Sequence, residues 1–418
     1  SNRRTGQPTI DDKALARLAK GIKSRQRILE ARIVQSIRHV SKLKQTYVNA
    51  NLHNDNRVRG AFNPVGTKNT RFSCSKMLHQ GGGKKRIGMN TQNIPAFYRR
   101  VIIPDDGYIF IEPDKVQAEW VVVAYVCGDA HMIHIVENNL DAHVETAKAV
   151  TRLPEDFILA EHKLVKGSRD PLYIEEQRRI LSDQDTRWSS SALLISSSGC
   201  FLPRTFSART VGKSSNHGLN YKMGAHRASE EWEIELDEAR RIVDAYPEIY
   251  PGVRVGFWEW VESCIRKDRT LFDLFGRKRV FLGEMSDDLI KEALDYIPQS
   301  TIARLTAEGM CKIYEDRRPH MADIELLNNT HDGLLIQVPL GDNERLAQVM
   351  ETCAQHLDQE LCFKERRFHV KTNFKIGFDW GAMVDVEGTT VAEIVPKLPA
   401  LLEEAKNAHE KSRGEALR

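Results

Sequence analysis

Two aspartates more than two hundred residues apart each border an apolar run, and that placement constrains the chain more than any other feature. Asp114 sits in Ile111-Glu112-Pro113-Asp114-Lys115-Val116-Gln117-Ala118-Glu119-Trp120, and Asp332 in Thr330-His331-Asp332-Gly333-Leu334-Leu335. A carboxylate at the edge of a buried strand is costly unless something cationic compensates it. A fold that brings the two together makes a divalent-metal site, and hard oxygen ligands suit Mg²⁺. Between them runs a segment whose basic residues share a helical face. The combination points to phosphoryl transfer.

At 418 residues the chain exceeds what one core usually supports, so two or three subdomains are expected. Hydrophobic residues at 41% and charged residues at 28% are ordinary for a globular protein. No apolar run is long enough to span a bilayer, and Ser1-Asn2-Arg3-Arg4 opens no signal-peptide core. An intracellular setting is expected: cytoplasm or nucleoid, a host's cytoplasm for a phage protein, or an organelle. The first residue is not Met, which suggests a processed or excised fragment. Seven cysteines form no C-x-x-C pair, as expected of reduced thiols. The small net charge of +3 conceals an asymmetry. Residues 1–100 hold 22 Lys+Arg against 4 Asp+Glu, so the first quarter suits a polyanion such as a nucleic-acid backbone.

The spacing of Leu15, Leu18, Ile22, Ile28, Ile33, Ile37 and Val40 predicts helix over 10–50. Residues 52–95 are polar, with a basic loop Gly81-Gly82-Gly83-Lys84-Lys85-Arg86. Two strands are predicted at Val101–Ile103 and Tyr108–Ile111 around the turn Pro104-Asp105-Asp106-Gly107, followed by a buried helix from Gln117 to Val126. Residues 150–205, with Ser189-Ser190-Ser191 and Ser196-Ser197-Ser198, read as an inserted, partly mobile segment. Residues 205–315 read as helical with breaks at Pro247, Pro251 and Gly276, and 324–338 as a hairpin turning at Thr330–Gly333. After 382 the chain is Gly- and Thr-rich, then Ala400–Ala408 suggests a short acidic helix. The order implies an α+β protein, helical subdomains around a small antiparallel sheet.

Arg209, Lys213, His217 and Tyr221 are spaced four apart, which predicts one helical ridge. An Arg fork and a Lys one turn apart can grip a triphosphate, and an imidazole and a phenol beyond them can stack on a base and its sugar. Alone, R-x-x-x-K is more often a solvent-facing basic helix, His-Asp a common turn, and Asp114 a helix cap. Their informative value comes from occurring together.

Further segments narrow the reading. Thr70-Arg71-Phe72-Ser73-Cys74-Ser75 resembles T-G-R-L-S-S, and Asn90-Thr91-Gln92-Asn93-Ile94-Pro95 resembles N-L-Q-N-I-P. Asp114 through Glu119 resembles D-Y-S-Q-I-E, with Gly128-Asp129 closing the segment. Asp141-Ala142-His143-Val144-Glu145-Thr146-Ala147 resembles D-I-H-T-E-T-A. Arg209, Lys213 and Tyr221 fit R-x3-K-x7-Y-G, followed by Ala225-His226-Arg227. Thr270 with Gly276-Arg277-Lys278-Arg279 resembles T-L-F-G-R-R-R, Gln299 the Gln of N-x-P-x-Q-G, and His331-Asp332 resembles H-D-E. In this order, from about residue 8 to Trp380, the chain resembles the polymerase domain of family A (DNA polymerase I-like) DNA polymerases.

The resemblance implies a right-hand polymerase with an antiparallel-sheet palm, helical fingers and a partial helical thumb. The expected boundaries are 1–50 partial thumb, 51–130 palm, 131–319 fingers with the insertion, 320–381 palm and 382–418 tail. It implies a template-directed DNA polymerase that extends a primer 3′-hydroxyl with dNTPs by a two-metal mechanism. Asp114 and Asp332, helped by the carbonyl of Lys115, would hold two Mg²⁺, for which Mn²⁺ can substitute. Arg209, Lys213, His217, Tyr221, Gln117 and Glu119 would face the nucleotide, Glu119 excluding a 2′-hydroxyl and bonding Tyr221. Arg71, Asn93, Gln299, His331 and Lys222 would contact primer–template DNA. No exonuclease sequence is recognisable, so a separate proofreading exonuclease or a processivity factor is an expected further partner; a membrane is not.

Four positions depart from the family pattern. His217 stands where Phe or Tyr is usual, Lys222 and Thr70 replace Gly, and Gly333 replaces an acidic residue. Altered nucleotide choice, extending to a modified base, is the expected consequence of His217. The alternative is a degenerate polymerase fold that grips primer–template with little or no catalysis. A single-subunit RNA polymerase fits less well, because Glu119 occupies the sugar-excluding position.

Overall fold

The computed structural model describes residues 15, 25–50, 52–78, 86–167, 207–232 and 234–416. Most of the first predicted helix before Arg25, Gly81–Lys85 of the basic loop, and 168–206 of the predicted insertion with both Ser triplets lie outside the described residues. The chain forms two compact units. The first comprises 1–61, 75–90 and 159–207. Its clearest element is helix α1, Arg25–Leu43, which ends in a π-turn over Lys44–Val48.

The second unit comprises 62–74, 91–158 and 208–418 and contains every predicted site residue. Its elements begin with β1 (Tyr108–Lys115), α2 (Ala118–Cys127), α3 (Ala130–Glu137) and α4 (Ala142–Thr151). Then come α5 (Ala208–Leu219), α6 (Ala225–Trp232), α7 (Leu236–Ile249) and α8 (Trp260–Asp268). A hairpin of β2 (Thr270–Phe272) and β3 (Lys278–Val280) leads into α9 (Asp287–Glu315). Strands β4 (Glu325–Asn329) and β5 (Leu334–Pro339), helix α10 (Asn343–Leu357), strands β6 (Thr372–Gly377) and β7 (Val384–Val386), and helix α11 (Leu398–Ala416) complete it.

Five strands make one antiparallel sheet in the order β7-β6-β1-β5-β4. Strand β1 is central and buried along nearly all its length, as a continuous apolar run covered on both faces requires. Ile109, Ile111, Ile336, Val338, Phe374 and Ile376 pack with Leu346, Val349 and Met350 of α10 and Leu398 of α11. A second core joins the helices around Trp120, Trp232, Tyr246, Tyr250 and Phe257. Among the described residues no helix is long and apolar enough to cross a membrane.

Several local expectations need correction. Val101–Ile103 is not a strand: Ala96–Val101 is a 3₁₀ helix entered from Pro95, and the Ile102 carbonyl accepts from the Trp380 amide at 3.0 Å. Pro247 lies within the last turn of α7 rather than breaking it, and the chain leaves the helix at Tyr250. Gly276, at φ +79°, turns a hairpin rather than interrupting a helix. The tail is integral to this unit: β7 is the sheet's edge strand, Leu398 and Ala405 are fully buried, and His409 Nδ1 lies 2.8 Å from the buried Asp379 carboxylate. Its helix runs 398–416, well beyond the stretch the acidic pattern marked.

Candidate active site

Strand β1 delivers Asp114 to the point where β5 begins. The β1 register with β5 ends in an isolated bridge between Asp114 and Gly333, and the Lys115 amide donates to the Asp332 carbonyl at 3.2 Å. The turn holding Asp332 is tight: the Thr330 amide donates to the Gly333 carbonyl at 2.9 Å, and Asn329 Oδ1 receives the His331 amide at 3.1 Å. His331 takes φ +83° to make it. Gly333 is required by space, since a Cβ there would lie 2.7 Å from Asp114 Oδ1 and 3.0 Å from the Pro113 carbonyl.

The two predicted aspartates therefore meet. Burial pushes the Asp114 carboxyl up to about 7, reinforced by the charges of Asp332 and Glu112 and opposed by those of Lys375 and Lys213. Burial likewise raises Asp332. Neither makes an ion pair among the described residues. No group of three or more His, Cys, Asp or Glu gathers there among those residues. Two desolvated, mutually repelling carboxylates are the donor set that a hard divalent cation relieves, and Mg²⁺ commonly uses one or two carboxylates with substrate oxygens. Lys115 offers only its backbone to this point, because its buried ammonium donates to Leu357 O, Val370 O and Asp358 Oδ1, each at 2.7 Å.

A cavity of about 500 Å³ opens beside Asp114, lined by Gln117, Asp141, His143, Arg209, Lys213 and Lys375 among others. Arg209 and Lys213 reach it from α5. That helix approaches α4 closely because residue 212 is glycine, whose Cβ would sit 2.1 Å from the His143 carbonyl. Asn216 locks the pair, donating to Ala142 O at 3.0 Å and approaching His143 Nδ1 at 3.2 Å. Arg209 is preset by Asp141, 2.8 Å from its Nε. Burial opposes ionisation of Asp141, but the Arg209 contact outweighs it and the carboxyl stays low. Burial drives His143 down to about 3, so it faces the cavity as a neutral imidazole. The His217 ring lies on the exposed side of α5, 6.0 Å from that of His143.

Tyr221 is not on the ridge. Helix α5 stops at Leu219, and Tyr221 sits in the following turn, its amide donating to Gly218 O at 3.2 Å. Its hydroxyl donates to Glu119, whose other oxygen accepts from Arg71. Glu119 thus joins the tyrosine to a second opening of about 420 Å³ lined by Arg71, Gln299 and His331. Asn69 Nδ2 donates to Gln299 Oε1 at 2.9 Å. Asn93 ends a 3₁₀ turn and is exposed. Gln117, at φ +49°, directs Oε1 to the Ala142 amide at 3.2 Å. Lys222 lies apart from these openings, 3.4 Å from Glu262 and 5.7 Å from the Trp258 ring.

Two departures share a backbone cause. Thr70 has φ +60° and Lys222 φ +57°, the left-handed region that favours the Gly found there in the family pattern. Thr70 is held by a 3.2 Å hydroxyl contact to Ser300. Sequence reading passed over Asp141, His143, Lys371 and Lys375 as site residues. Asp141 and His143 lie within the D-A-H-V-E-T-A segment, whereas Lys375 sits in an ordinary alternating strand pattern, T-N-F-K-I-G.

The profile of DNA polymerase family A matches residues 1–164 and 203–382. The chain belongs to that family. The thermostable DNA polymerase I of Thermus aquaticus is 25% identical over 333 residues, covering 75% of this chain and 32% of that protein. DNA polymerase I of Borreliella burgdorferi is 22% identical over 362 residues, 82% of this chain and 32% of that protein. The chain thus spans about a third of the length of these curated relatives. The solved POL domain of Pol1 from M. smegmatis, in complex with DNA primer-template and dNTP, superposes with a TM-score of 0.62 at 20% identity. That match covers 91% of this chain and 57% of the other. The α+β fold expected from the sequence, helices around an antiparallel sheet, is the fold observed, and it is similar to that of a family A polymerase domain.

Proposed function

We propose that the chain is the catalytic domain of a template-directed DNA polymerase that adds dNTPs to a primer 3′-hydroxyl with two divalent cations, Mg²⁺ first. The observation that supports it is the meeting of Asp114 and Asp332 beside a cavity walled by Arg209 and Lys213. Residues 51–130 and 320–381, which carry four of the five sheet strands, would be the palm, 131–319 the fingers and 1–50 part of the thumb. Bound Mg²⁺ would supply Lewis-acid stabilisation of the attacking and leaving oxygens.

The residues themselves do the rest. Asp114 and Asp332 hold the cations; Arg209 and Lys213 bind the triphosphate, Arg209 already oriented by Asp141. Neutral His143 donates or accepts beside them without adding charge. Glu119, fixed by Arg71 and Tyr221, closes the space at the sugar 2′ position. Arg71, Gln299 and His331 face the primer–template end from the other opening, with Asn93 and Lys222 as outer DNA contacts.

Primer extension with Mg²⁺ tests the reading. Extension by wild type, lost in Asp114→Ala and Asp332→Ala while duplex binding persists, is expected. Duplex binding without extension would leave only the non-catalytic DNA-binding fold. Incorporation kinetics for ordinary and base-modified dNTPs in wild type and His217→Phe test nucleotide choice; identical selectivity would end that part of the proposal.

A further inference from the structure

Strand β6 brings a cation to the reactive carboxylate that neither the sequence motifs nor the mechanism above uses. Residues directly opposite one another in a sheet project to the same face. Asn373 pairs with Asp114 and Lys375 with Glu112, so both β6 side chains lie on the Asp114 face. The intervening Thr372, Phe374 and Ile376 are buried on the other side. Lys375 is thus the diagonal neighbour of Asp114 across the strand pair, and it lines the same 500 Å³ cavity as Arg209 and Lys213.

The carboxylates that flank Lys375 leave its ammonium unengaged. Glu112 receives Trp380 Nε1 at 2.7 Å and lies 3.9 Å from Arg99. Asp385, in register on β7, is exposed and makes no ion pair among the described residues. The Lys375 ammonium makes no direct hydrogen bond or ion pair among those residues, and neither does that of Lys213 on the opposite wall. Both charges act on Asp114. Nearby, Lys371 Nζ donates to Asn139 at the cavity's edge. One wall therefore offers Arg209 and Lys213 from a helix, and the other offers Lys375 from the sheet. A polyanion several phosphates long can be held from both sides of such a cleft.

We propose that Lys375 is a phosphate-binding residue of the sheet wall, contacting the β,γ end of the incoming triphosphate and the pyrophosphate left after transfer. This rests on the polymerase reading, but its test separates the two. Metal-free wild type, in chelator, is titrated calorimetrically with inorganic tripolyphosphate, as are Lys375→Ala, Lys375→Gln and Lys375→Arg. A weakening of Kd of about tenfold is expected in the Ala and Gln variants, the loss of one charge-assisted contact. Lys375→Arg should stay within about threefold of wild type. Urea midpoints confirm that the variants fold, and Lys375→Gln keeps the side chain's packing.

In primer extension and pyrophosphorolysis, the Ala and Gln variants should raise KM for dNTP and for pyrophosphate with kcat little changed. A merely structural role would lower kcat and stability together and leave tripolyphosphate binding unmoved. Wild type that fails to bind tripolyphosphate, or Ala and Gln variants that bind within twofold of it, overturns the inference. Lys375-dependent binding in a wild type that cannot extend a primer overturns the polymerase reading and keeps the anion site.

Discussion

Replacing Asp114 with Asn should stabilise the metal-free protein while abolishing catalysis. The Asp114 carboxyl is pushed from 3.8 when unperturbed to about 7 in the fold, by burial first and then by Asp332 and Glu112. Below pH about 4 the group is protonated in folded and unfolded chains alike, and it has no effect on stability. Between pH about 4 and 7 the unfolded chain releases the proton that the folded chain keeps, so stability falls as pH rises across that window. A shift of this size sets a ceiling of about 4 kcal/mol. The carboxylate opens on a water-accessible cavity, so about 1–2 kcal/mol is the expected share. Urea unfolding in chelator at pH 4, 6 and 8 would read it. Asp114→Asn should match wild type at the lowest pH and exceed it by about 1–2 kcal/mol at the highest. Added Mg²⁺ should stabilise wild type more than the variant, since ligand that binds only the folded state raises its stability. Parallel pH profiles for the two proteins would refute the claim that this carboxylate is held at a cost.

Four further outcomes are expected. Thr70→Gly and Lys222→Gly relieve left-handed backbone and should each stabilise the fold by about 0.5–1 kcal/mol in urea unfolding; destabilisation in both would show the strain is already offset. Glu119→Ala removes the acceptor shared by Arg71 and Tyr221, so it should cost about 1–3 kcal/mol of stability. The same variant should reduce dNTP-over-rNTP discrimination about tenfold or more in single-nucleotide incorporation. Gly333→Ala forces a Cβ to 2.7 Å from Asp114 Oδ1, so extension should fall about tenfold or more with DNA affinity kept; unchanged kcat would mean the carboxylate can move without consequence.

The carboxylate pair was legible because a charged side chain at the edge of an otherwise apolar strand contradicts its surroundings, and such contradictions usually mark chemistry. Arg209 and Lys213 were legible as helix neighbours, but the same spacing carried the reading two residues past the helix end. Leu219 is the last helical residue, and Tyr221 reaches Glu119 from a turn instead. Val101–Ile103 looked like a strand because β-branched residues precede a turn sequence, yet the Ile102 carbonyl is engaged by Trp380, a long-range bond that local propensity cannot register. Lys375 was hidden for a related reason. Its significance depends on which residue of a strand over two hundred and fifty positions earlier lies diagonally across from it, and register is a property of the folded sheet alone.

The departures from the family pattern acquire a common sense in the folded chain. Thr70 and Lys222 accept backbone angles that Gly would adopt at less cost, and Gly333 yields the space that the Asp114 side chain fills. Each alters strain or room at the margin of the site. Gly333 stands in place of an acidic residue, yet Asp114 and Asp332 still meet, and Asp114 shares its cleft with Arg209, Lys213 and Lys375. A binding module relieved of catalysis has no need to keep two repelling, desolvated carboxylates adjacent, because ionising them costs stability and gives a duplex backbone nothing to bind. Their adjacency beside unpaired ammonium groups supports the proposed nucleotidyl-transfer site over the DNA-gripping alternative.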